Sequence, residues 1–421
     1  MITKPRGTED VLPKDVLLWR KIEGIARRVC DNFGYREIRT PVFESTELFS
    51  RGVGETTDVV QKEMYTFLDK GGRSITLKPE GTATLVRSYI ENSLYAAPAP
   101  VKLAYIIPCF RYEKPQSGRL REFHQFGVEC FGAGTPETDA EIISLANTFL
   151  CETGIKGITL YINSIGCPTC RGEYNKKLRE YFEGHKDELC ETCLNRLEKN
   201  PMRIIDCKSP ICSAIAKKAP KMIDYLCDDC REHFDGVKEG LSNMGISYKI
   251  NPDIVRGLDY YTKTVFEFVS DSLGAQSTVC GGGRYSGLVE ELGGKPTEGI
   301  GFATGIERLV LIIKAQAEEE NKEGAPDIFV ASIGKTATLA AQKIVYGLRL
   351  RGFYAEMDLC GRSVKAQMKY AGKTGARYSI VLGDDEVGQN RAAIKNMENG
   401  EIAEVSLSLD EISEIIGGEE K

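Results

Sequence analysis

The sequence predicts a large domain of mixed α and β structure that carries a helical insertion, followed by a small α/β domain. Three observations support this architecture. Two long stretches with strand character flank a polar loop at 114–119. Residues from about 166 to 235 have helical patterns, many charges and eight of the fourteen cysteines. Beyond a charged linker at 318–324, strand and helix patterns alternate, which is typical of a three-layer α/β domain.

The bulk properties are those of a globular protein. The 421 residues suffice for two or three domains, and the chain is 42% hydrophobic and 28% charged. The first residues lack an apolar core of signal-peptide type, and the longest apolar run, 309–313, is too short to span a bilayer. These features predict a cytoplasmic protein. The net charge of −6 disfavours a general nucleic-acid coat protein but allows RNA binding by a local basic face.

The elements of the large domain follow from periodicity and local signals. We predict Thr82 as the N-cap of a helix, because threonine is favoured there. A glycine-patterned segment at 299–308 predicts a strand, a turn and a helix with Arg308 at its start. The remaining helices, extended segments and strands are expected at 19–33, 34–41, 74–77, 83–91, 102–111, 122–131, 263–269 and 275–281.

The small domain is predicted from a regular β-α-β alternation. Its strands and helices are expected at 327–332, 337–351, 354–359, 363–371 and 378–382.

One face of the predicted hairpin is polar. Side chains alternate along a strand, so Gln125, Gly127 and Glu129 share a face, as do Arg111 and Glu113 on the other strand. The opposite face is apolar and must pack on helices. The polar face is either a solvated surface or the floor of a pocket. We favour a pocket, because glycine at position 127 leaves room for close approach of a ligand.

A second polar cluster, RGLDYY at 256–261, precedes a strand, and GGGRYSG follows at 281–287. Buried polar groups need partners, so this density indicates a site for a small charged substrate. Arg308 at a helix start could reach a polyphosphate. The alternative for the glycines before Arg308 is tight packing of helix on sheet.

These segments together resemble a known family. FRYE at 110–113 with REFHQ at 121–125 resembles motif 2 of class II aminoacyl-tRNA synthetases, GFATGIER at 301–308 resembles motif 3, and 34–41 resembles motif 1. Residues 256–261 and 281–285 resemble two signatures of the histidyl group, and KPRGT at 4–8 matches how such chains begin. The resemblance covers essentially the whole chain.

The resemblance implies a fold and an activity. The fold would be an α+β catalytic domain on an antiparallel sheet at 1–320, with the insertion at 166–235, and an anticodon-binding α/β domain at 326–421. The activity would be activation of histidine by ATP with Mg²⁺, followed by transfer to tRNA(His). Motif 1 forms a two-fold interface in this class, so a homodimer is implied.

The resemblance also implies roles at the phosphate end of the site. Arg111 would hold the ATP α-phosphate and the histidine carboxylate, Glu113 would contact adenine, and Arg308 would clamp the γ-phosphate. Arg256 would be the catalytic cation. Attack of a carboxylate on an α-phosphate brings two anions together, so positioned cations suit this reaction.

At the amino-acid end, matching residues would surround histidine. Tyr260 and Tyr261 would form the imidazole pocket. The other histidine-binding positions would be Glu80, Gly81, Thr82, Arg111, Gln125, Glu129 and Arg256.

One position departs from the family pattern. The family usually has arginine where this chain has Lys78, so the positive charge is kept but the forked guanidinium group is lost.

One rival function remains. The rival is a non-catalytic, synthetase-like regulatory subunit of ATP phosphoribosyltransferase. Such chains typically lack the C-terminal domain and have eroded motifs, whereas both are intact in this sequence.

The cysteines of the insertion are spaced like metal ligands. Three Cys-x-x-Cys pairs are a strong zinc signal, although the alternative is an insertion that folds without metal. A catalytic role is not expected, because the site residues are elsewhere. The candidate ligands of structural zinc are Cys167, Cys170, Cys190, Cys193, Cys207, Cys212, Cys227 and Cys230.

A basic face of the small domain could contact RNA. The alternative is a solvated helix face. The residues concerned are Arg362, Lys365, Lys369 and Lys373.

Overall fold

The computed structural model describes residues 1–54, 57, 59–256, 258–270, 278–316 and 324–418. The chain divides into two units, Met1–Asn321 and Lys322–Lys421. The predicted linker at 318–324, except for its last residue, lies outside the described residues, as do Gly257 and positions 275–277 of a predicted strand.

An eight-stranded sheet forms the centre of the first unit, beside a small three-stranded sheet. The strands of this unit are β1 (Arg36–Glu37), β2 (Phe43–Ser45), β3 (Tyr65–Leu68), β4 (Ser74–Leu77), β5 (Val101–Phe110), β6 (Glu122–Phe131), β7 (Ile158–Ser164), β8 (Lys249–Ile250), β9 (Thr262–Ser270), β10 (Thr278–Tyr285) and β11 (Gly299–Gly305). The large sheet has the order β1-β5-β6-β11-β10-β9-β7-β8. Only its two edge pairs, β1–β5 and β7–β8, are parallel, so the predicted antiparallel sheet is confirmed.

Helices cover both faces of this sheet. They are α1 (Pro13–Asn32), α2 (Thr46–Gly52), α3 (Thr82–Glu91), α4 (Pro136–Glu152), α5 (Pro168–Glu183), α6 (Glu191–Lys199), α7 (Pro210–Lys217), α8 (Asp228–Asn243), α9 (Leu288–Glu291) and α10 (Ile306–Gln316). Helices α5 to α8 form the cysteine-rich insertion. Among the described helices of the chain, none has the length and apolar character needed to cross a membrane.

Each face of the large sheet has its own hydrophobic core. Phe126 and Val128 of β6 point to one face and pack with α1, α4 and α10, where the Phe126 and Phe149 ring centroids lie 4.6 Å apart. Residues of β5 that point the other way, such as Tyr105 and Ile107, join a core built with α3 and the insertion. The predicted apolar face of the hairpin is therefore confirmed, whereas the opposite face combines apolar side chains of β5 with the polar side chains of Gln125 and Glu129 on β6.

Strand β10 runs further than predicted, through the glycines at 281–283 to Tyr285. These glycines remain extended because the neighbouring strands fill the space that side chains would need. A Cβ on Gly282 would lie 2.2 Å from the carbonyl oxygen of Gly301 and 2.6 Å from Cβ of Phe302. The glycine run therefore lets three strands approach closely.

The start of helix α3 corrects the prediction for Thr82. Gly81 is the N-cap and Thr82 is the first helical residue. The carboxylate of Glu80 accepts hydrogen bonds from the backbone N–H groups of Thr82 and Ala83, both at 2.8 Å. Because one carboxylate satisfies two unpaired N–H groups of the first turn, the Thr82 hydroxyl is available to another partner, Glu129.

The second unit is a five-stranded sheet between helices, as the alternation predicts. Strands β12 (Ile328–Ser332), β13 (Ala355–Met357) and β14 (Tyr378–Leu382) are parallel in the order β13-β12-β14. An antiparallel hairpin, β15 (Arg391–Asn396) and β16 (Ile402–Ser406), extends the sheet and was not predicted. The helices are α11 (Lys335–Leu350), α12 (Val364–Thr374), α13 (Asp384–Gln389) and α14 (Leu409–Gly417).

A fully buried ion pair connects the insertion to the sheet. Arg284 of β10 donates to Asp139 of α4 with Nε at 2.9 Å, and to Glu298 at 3.0 Å. The other Asp139 oxygen lies 2.8 Å from Nε2 of His233 in α8. Although burial opposes it, the hydrogen bond with His233 and the charge of Arg284 lower the pKa of Asp139.

Removing this cation should destabilise the first unit. Arg284→Met leaves Asp139 buried without its main counter-ion, so we expect a loss of about 3–5 kcal/mol in the free energy of unfolding. Urea denaturation measures this loss. Arg28→Ala, which breaks an exposed ion pair with Glu152, is the matched control and should change little. A small loss for Arg284→Met would contradict the structural role.

Candidate active site

A cavity of about 530 Å³ lies over the polar face of the large sheet. Side chains from α3, β6, β9, β10, β11 and α10 line it, together with the loop between β5 and β6 and the segment after β8. Of the predicted ligand-contacting residues, Gly81 does not line the cavity. The others do: Glu80, Thr82, Arg111, Glu113, Gln125, Glu129, Arg256, Tyr260, Tyr261 and Arg308.

Glu129 is a buried carboxylate in the cavity floor, with only 1% of its surface exposed. Its oxygens accept hydrogen bonds from the hydroxyls of Tyr285 at 2.5 Å, Thr82 at 2.7 Å and Tyr105 at 3.5 Å. A Cβ on Gly301 of the adjacent strand would lie 1.9 Å from the carboxylate, so only glycine leaves it room. Burial raises the pKa of Glu129 to about 8, although the hydroxyls oppose this shift.

Tyr105 corrects the prediction that Gly127 opens space for a ligand. The ring of Tyr105 occupies this space, and a Cβ on Gly127 would lie 2.4 Å from it. The same ring covers Gly81, which explains why Gly81 does not line the cavity. Gly81 contributes its backbone N–H, which donates to Gln125 Oε1 at 3.1 Å and fixes that amide. The glycines accommodate an aromatic side chain, which in turn reaches Glu129.

Three arginines gather at the other end of the cavity. Nε of Arg111 donates to the Pro79 carbonyl at 2.8 Å, and Nη1 of Arg119 lies 2.8 Å from Glu113. Nε of Arg308, in the first turn of α10, donates to the Gly118 carbonyl at 3.2 Å. Burial and the charges of Arg119 and Arg111 lower the pKa of Arg308. Cations held this close together are suited to a polyanionic ligand.

Arg256 lies in an unusual backbone conformation, with φ of 56°. Its guanidinium pairs with Glu267 of β9, and its Cζ lies 5.8 Å from the centroid of the Tyr261 ring. A Cβ on Gly281 would lie 2.6 Å from Arg256 Nη1, so a side chain at this position would displace the guanidinium. A left-handed non-glycine residue costs free energy and persists where its surroundings hold it, often at functional sites.

The aromatic residues form a wall beside Glu129. The ring centroids of Tyr260 and Tyr261 lie 4.6 Å apart, and those of Tyr260 and Tyr285 lie 5.6 Å apart. Tyr260 and Tyr261 are 8% and 6% exposed. This wall and the carboxylate can hold a small ring that carries a positive charge.

Several site residues were missed from the sequence. Glu267 is a carboxylate in a strand that otherwise reads as apolar, and this exception to the strand pattern is the available signal. Tyr105 gives no such signal, because an aromatic residue fits the apolar pattern of β5. Tyr285 lies within the second signature but had no assigned role. Asp206 and Lys208 also line the cavity, although they come from the insertion and carry no local motif.

Lys78 lies away from the cavity lining. It is fully buried, and its Nζ donates to the backbone oxygen of Thr40 at 3.2 Å. Burial lowers the pKa of Lys78. The departure from the family pattern therefore affects the packing behind the site.

The eight cysteines of the insertion form two groups of four. One comprises Cys167, Cys170, Cys227 and Cys230, and the other comprises Cys190, Cys193, Cys207 and Cys212. Within each group all the sulfur atoms lie within 4.8 Å of one another. Four thiols this close are a donor set for a tetrahedral metal ion such as zinc.

Family comparisons match almost the whole chain. The family described as histidyl-tRNA synthetase matches residues 7–167 and 211–309, and the anticodon binding domain matches 327–418. The histidine–tRNA ligase of Acetivibrio thermocellus is 61% identical over 408 residues, which cover 97% of this chain and 98% of that one. The histidine–tRNA ligase of Caldanaerobacter subterraneus subsp. tengcongensis is 53% identical over 417 residues, which cover 99% and 100%.

Solved structures show the same fold. The apo histidyl-tRNA synthetase of S. aureus superposes with a TM-score of 0.84 at 40% identity, and each chain is covered completely. A Bacillus halodurans protein described as an ATP phosphoribosyltransferase regulatory subunit/histidyl-tRNA synthetase shares the fold, with a TM-score of 0.65 at 24% identity over 88% of this chain and 96% of that one.

Glu129 should make the stability of the protein fall as pH rises. Its folded pKa is about 8 and its ordinary value is 4.5, so between these values the folded state holds a proton that the unfolded chain has released. This contribution is complete below pH 4.5 and is lost as pH rises through 8. Glu129→Gln removes it. Between pH 5 and pH 8, the free energy of unfolding of the variant should therefore rise relative to that of wild type by more than about 1.4 kcal/mol, the equivalent of one pKa unit.

Urea denaturation at several pH values measures this change in slope. Glu47→Gln, at an exposed position of α2, is the matched control and should run parallel to wild type. Parallel curves for Glu129→Gln would show that Glu129 is ionised in the folded protein at neutral pH.

Proposed function

Because the chain belongs to the histidyl-tRNA synthetase family and catalyses the ATP-dependent attachment of histidine to tRNA, we propose that its cavity binds histidine beside ATP, with Arg256 as the catalytic cation. The observation that carries this proposal is the division of the cavity into two ends. One end gathers Arg111, Arg119 and Arg308, and the other combines the Glu129 carboxylate with a wall of tyrosines.

The tyrosine end fits histidine. The α-ammonium group of the amino acid would pair with Glu129 and replace the proton that this carboxyl otherwise holds. Tyr260 and Tyr261 would flank the imidazole ring. Gln125 lines the same end, where its amide is fixed by the N–H of Gly81. A pocket built from hydrogen-bonding groups rejects amino acids that lack matching polar atoms, because its buried groups would then be unpaired.

Glu80 and Thr82 position other groups at the tyrosine end of the cavity. Both oxygens of Glu80 accept hydrogen bonds at the start of α3, and the Thr82 hydroxyl donates to Glu129. These contacts fix the positions of two polar groups before a ligand arrives. We therefore assign Glu80 and Thr82 to orienting the amino-acid site.

The arginine end fits ATP. Arg111 would contact the α-phosphate and the histidine carboxylate, and Arg308 would contact the γ-phosphate. Glu113 would accept a hydrogen bond from the amino group of adenine. The three arginines are held by backbone carbonyls or by Glu113, so their positions are set before the phosphates bind.

Magnesium accompanies ATP in this family, and the cavity contains suitable donors. Mg²⁺ prefers oxygen ligands and usually combines one or two carboxylates with phosphate oxygens. Asp206 and Glu113 would hold it. Burial raises the pKa of Asp206, so a nearby cation would favour its charged form. When bound, the ion supplies charge neutralisation on the phosphates.

Adenylate formation follows from this arrangement. The carboxylate of histidine attacks the α-phosphorus, a new P–O bond forms, and the bond to the bridging oxygen breaks as pyrophosphate leaves. Negative charge grows on the phosphoryl oxygens during this step. Arg256, held by Glu267 and facing the cavity, would stabilise that charge without needing to transfer a proton.

The regulatory-subunit alternative is not supported. Histidine–tRNA ligases are more than 50% identical to this chain over nearly its full length, whereas the protein with a regulatory description is 24% identical. The cavity also retains Arg111 of motif 2, Arg308 of motif 3 and Arg256 of the first histidyl signature.

The second unit is an anticodon-binding domain, and we propose that α12 contributes to its RNA face. Lys365, Lys369 and Lys373 are exposed at helical spacing on this element, and Arg362 precedes it. Basic side chains along one helix face can contact the phosphate backbone of the tRNA.

We propose that the insertion binds structural zinc. Among the described residues that line the cavity, none belongs to the eight cysteines, so zinc would have no direct part in catalysis. The protein is proposed to act in the cytoplasm, where free thiols persist and can bind metal.

Loss of Arg256 should abolish adenylate formation. Arg256→Ala should lower kcat for histidine-dependent ATP–pyrophosphate exchange by about 10²–10³-fold or more, because a fixed charge in the transition state is lost. Arg256→Lys should recover only part of the rate, since lysine lacks the planar fork. Arg28→Ala is the surface control. Near-normal exchange by Arg256→Ala would refute its assigned role.

We propose a homodimer that uses the small sheet near motif 1. Val42, Phe43, Phe67 and Leu68 are between 41% and 70% exposed in or beside this sheet. Clustered apolar residues of this kind mark interaction surfaces.

A charge placed on that surface should separate the dimer. Phe43→Asp should shift the sedimentation coefficient towards the monomer at micromolar concentration, because a charged group would be buried in the interface. Leu339→Asp, at an exposed apolar position of α11, is the control and should sediment like wild type. A wild-type protein that sediments as a monomer would contradict the proposal.

A further inference from the structure

We propose that the eight cysteines form two separate tetrathiolate zinc sites and that these metals hold the insertion against the wall of the cavity. The second half of this inference rests on the proposed function of the cavity, whereas the first half does not. Site one is defined as Cys167, Cys170, Cys227 and Cys230, and site two as Cys190, Cys193, Cys207 and Cys212.

The sulfur spacing fits zinc. Four sulfurs at the usual Zn–S distance of about 2.3 Å from a tetrahedral centre lie about 3.8 Å from one another. The Sγ atom of Cys167 lies 3.6 Å from that of Cys170 and 3.9 Å from that of Cys227. The Sγ atoms of Cys190 and Cys207 lie 3.9 Å apart. These distances are too long for disulfides, whose S–S bond is about 2.05 Å.

Helix starts favour the thiolate form that binds metal. In each Cys-x-x-Cys pair, the first cysteine is the N-cap of a helix and the second lies in its first turn. The partial positive charge of a helix N-terminus stabilises a thiolate. Cysteine is an unusual N-cap residue, because most helices favour oxygen-bearing side chains at this position. None of these three N-cap cysteines makes a side-chain capping hydrogen bond.

Backbone groups also point at the sulfurs. The N–H of Cys227 donates to Sγ of Cys170 at 3.1 Å in site one. The N–H of Cys190 donates to Sγ of Cys212 at 3.2 Å in site two. Hydrogen bonds to ligand atoms orient metal-binding groups. In both sites, two cysteines are buried and two are partly exposed, so an ion could enter from solvent.

The two sites contact the cavity wall through neighbouring residues. Arg171, beside Cys170, donates to the backbone carbonyls of Ile165 and Tyr261. Site one therefore fixes a residue that holds the Tyr261 backbone. Tyr261 in turn lines the cavity beside Arg256.

Site two lies even closer to the cavity. Cys207 stands between Asp206 and Lys208, which both line the cavity. Arg203, shortly before them, binds the carboxylate of Asp259 at 2.8 Å, in the same loop as Arg256. An ion in site two would therefore hold Asp206 and Lys208 in the cavity wall. It would also hold the loop that carries Arg256, the proposed catalytic cation.

The family match omits residues 168–210, which contain Cys170 and the first three cysteines of site two, and it includes Cys167, Cys212, Cys227 and Cys230. The zinc sites are inferred from the sulfur positions in this chain.

Metal analysis of the full-length protein tests the first half. Purified protein should contain two zinc ions per chain, with iron well below one. Replacement of zinc by cobalt should produce intense thiolate-to-cobalt absorption and tetrahedral visible bands. Cys170→Ser and Cys193→Ser should each reduce the zinc content to about half, and the double variant should contain almost none.

The controls are Cys151→Ser and Cys360→Ser, which alter exposed cysteines outside both sites and should retain two ions. One ion per chain, iron in place of zinc, or the same residual content after every substitution would overturn the two-site proposal. If a variant fails to fold, stepwise removal of zinc from the wild-type protein by a chelator should still release two equivalents.

Hydrogen exchange tests the link to the cavity. Chelation of zinc from the folded protein should increase amide exchange at 203–208 and 258–261 at least tenfold, while α11 in the second unit should be unchanged. Cys193→Ser should raise KM for histidine or lower kcat at least tenfold in pyrophosphate exchange. Unchanged exchange rates and kinetics would refute the link, whereas an inactive zinc-loaded wild type would instead refute the proposed function.

Discussion

The buried carboxylate of Glu129 is the constraint around which the first unit is arranged. An acidic group in the middle of a sheet is costly unless its oxygens have partners, and here the partners come from three separate elements. Tyr105 comes from β5, Thr82 from α3 and Tyr285 from β10. The carboxylate therefore links the position of a helix start to the register of two strands. Glycine at 301 is required because any side chain would occupy the same space.

Much of this arrangement could be predicted from the sequence, because strand alternation assigns side chains to faces and the motif resemblance assigns residues to a site. The polar face of the hairpin and the position of Arg308 at a helix start depend only on local order. The ring above Gly127 could not be predicted, because the space over a glycine can hold either a ligand or a neighbour's side chain. The partner of Arg256 belongs to another strand, so only the sheet register reveals it.

The same distinction explains the remaining misses. Glu80 replaces Thr82 as the group that caps α3, because a carboxylate two residues earlier can reach two N–H groups. The hairpin of β15 and β16 in the second unit is short and half exposed, so its apolar pattern is weak. Cysteine spacing indicates metal binding but allows many pairings, and the helices between the pairs decide which sulfurs meet.

The two cysteine groups are nested along the chain, since the second lies wholly between the halves of the first. Closing a chain loop costs conformational entropy that grows slowly with length, by about 0.6 kcal/mol per doubling. Completion of the inner loop, from 190 to 212, shortens the flexible chain that the outer loop must still close. During synthesis on the ribosome, the inner set also emerges before the last outer pair at 227 and 230. The order of the cysteines thus gives the insertion a natural sequence of assembly from the inside outwards.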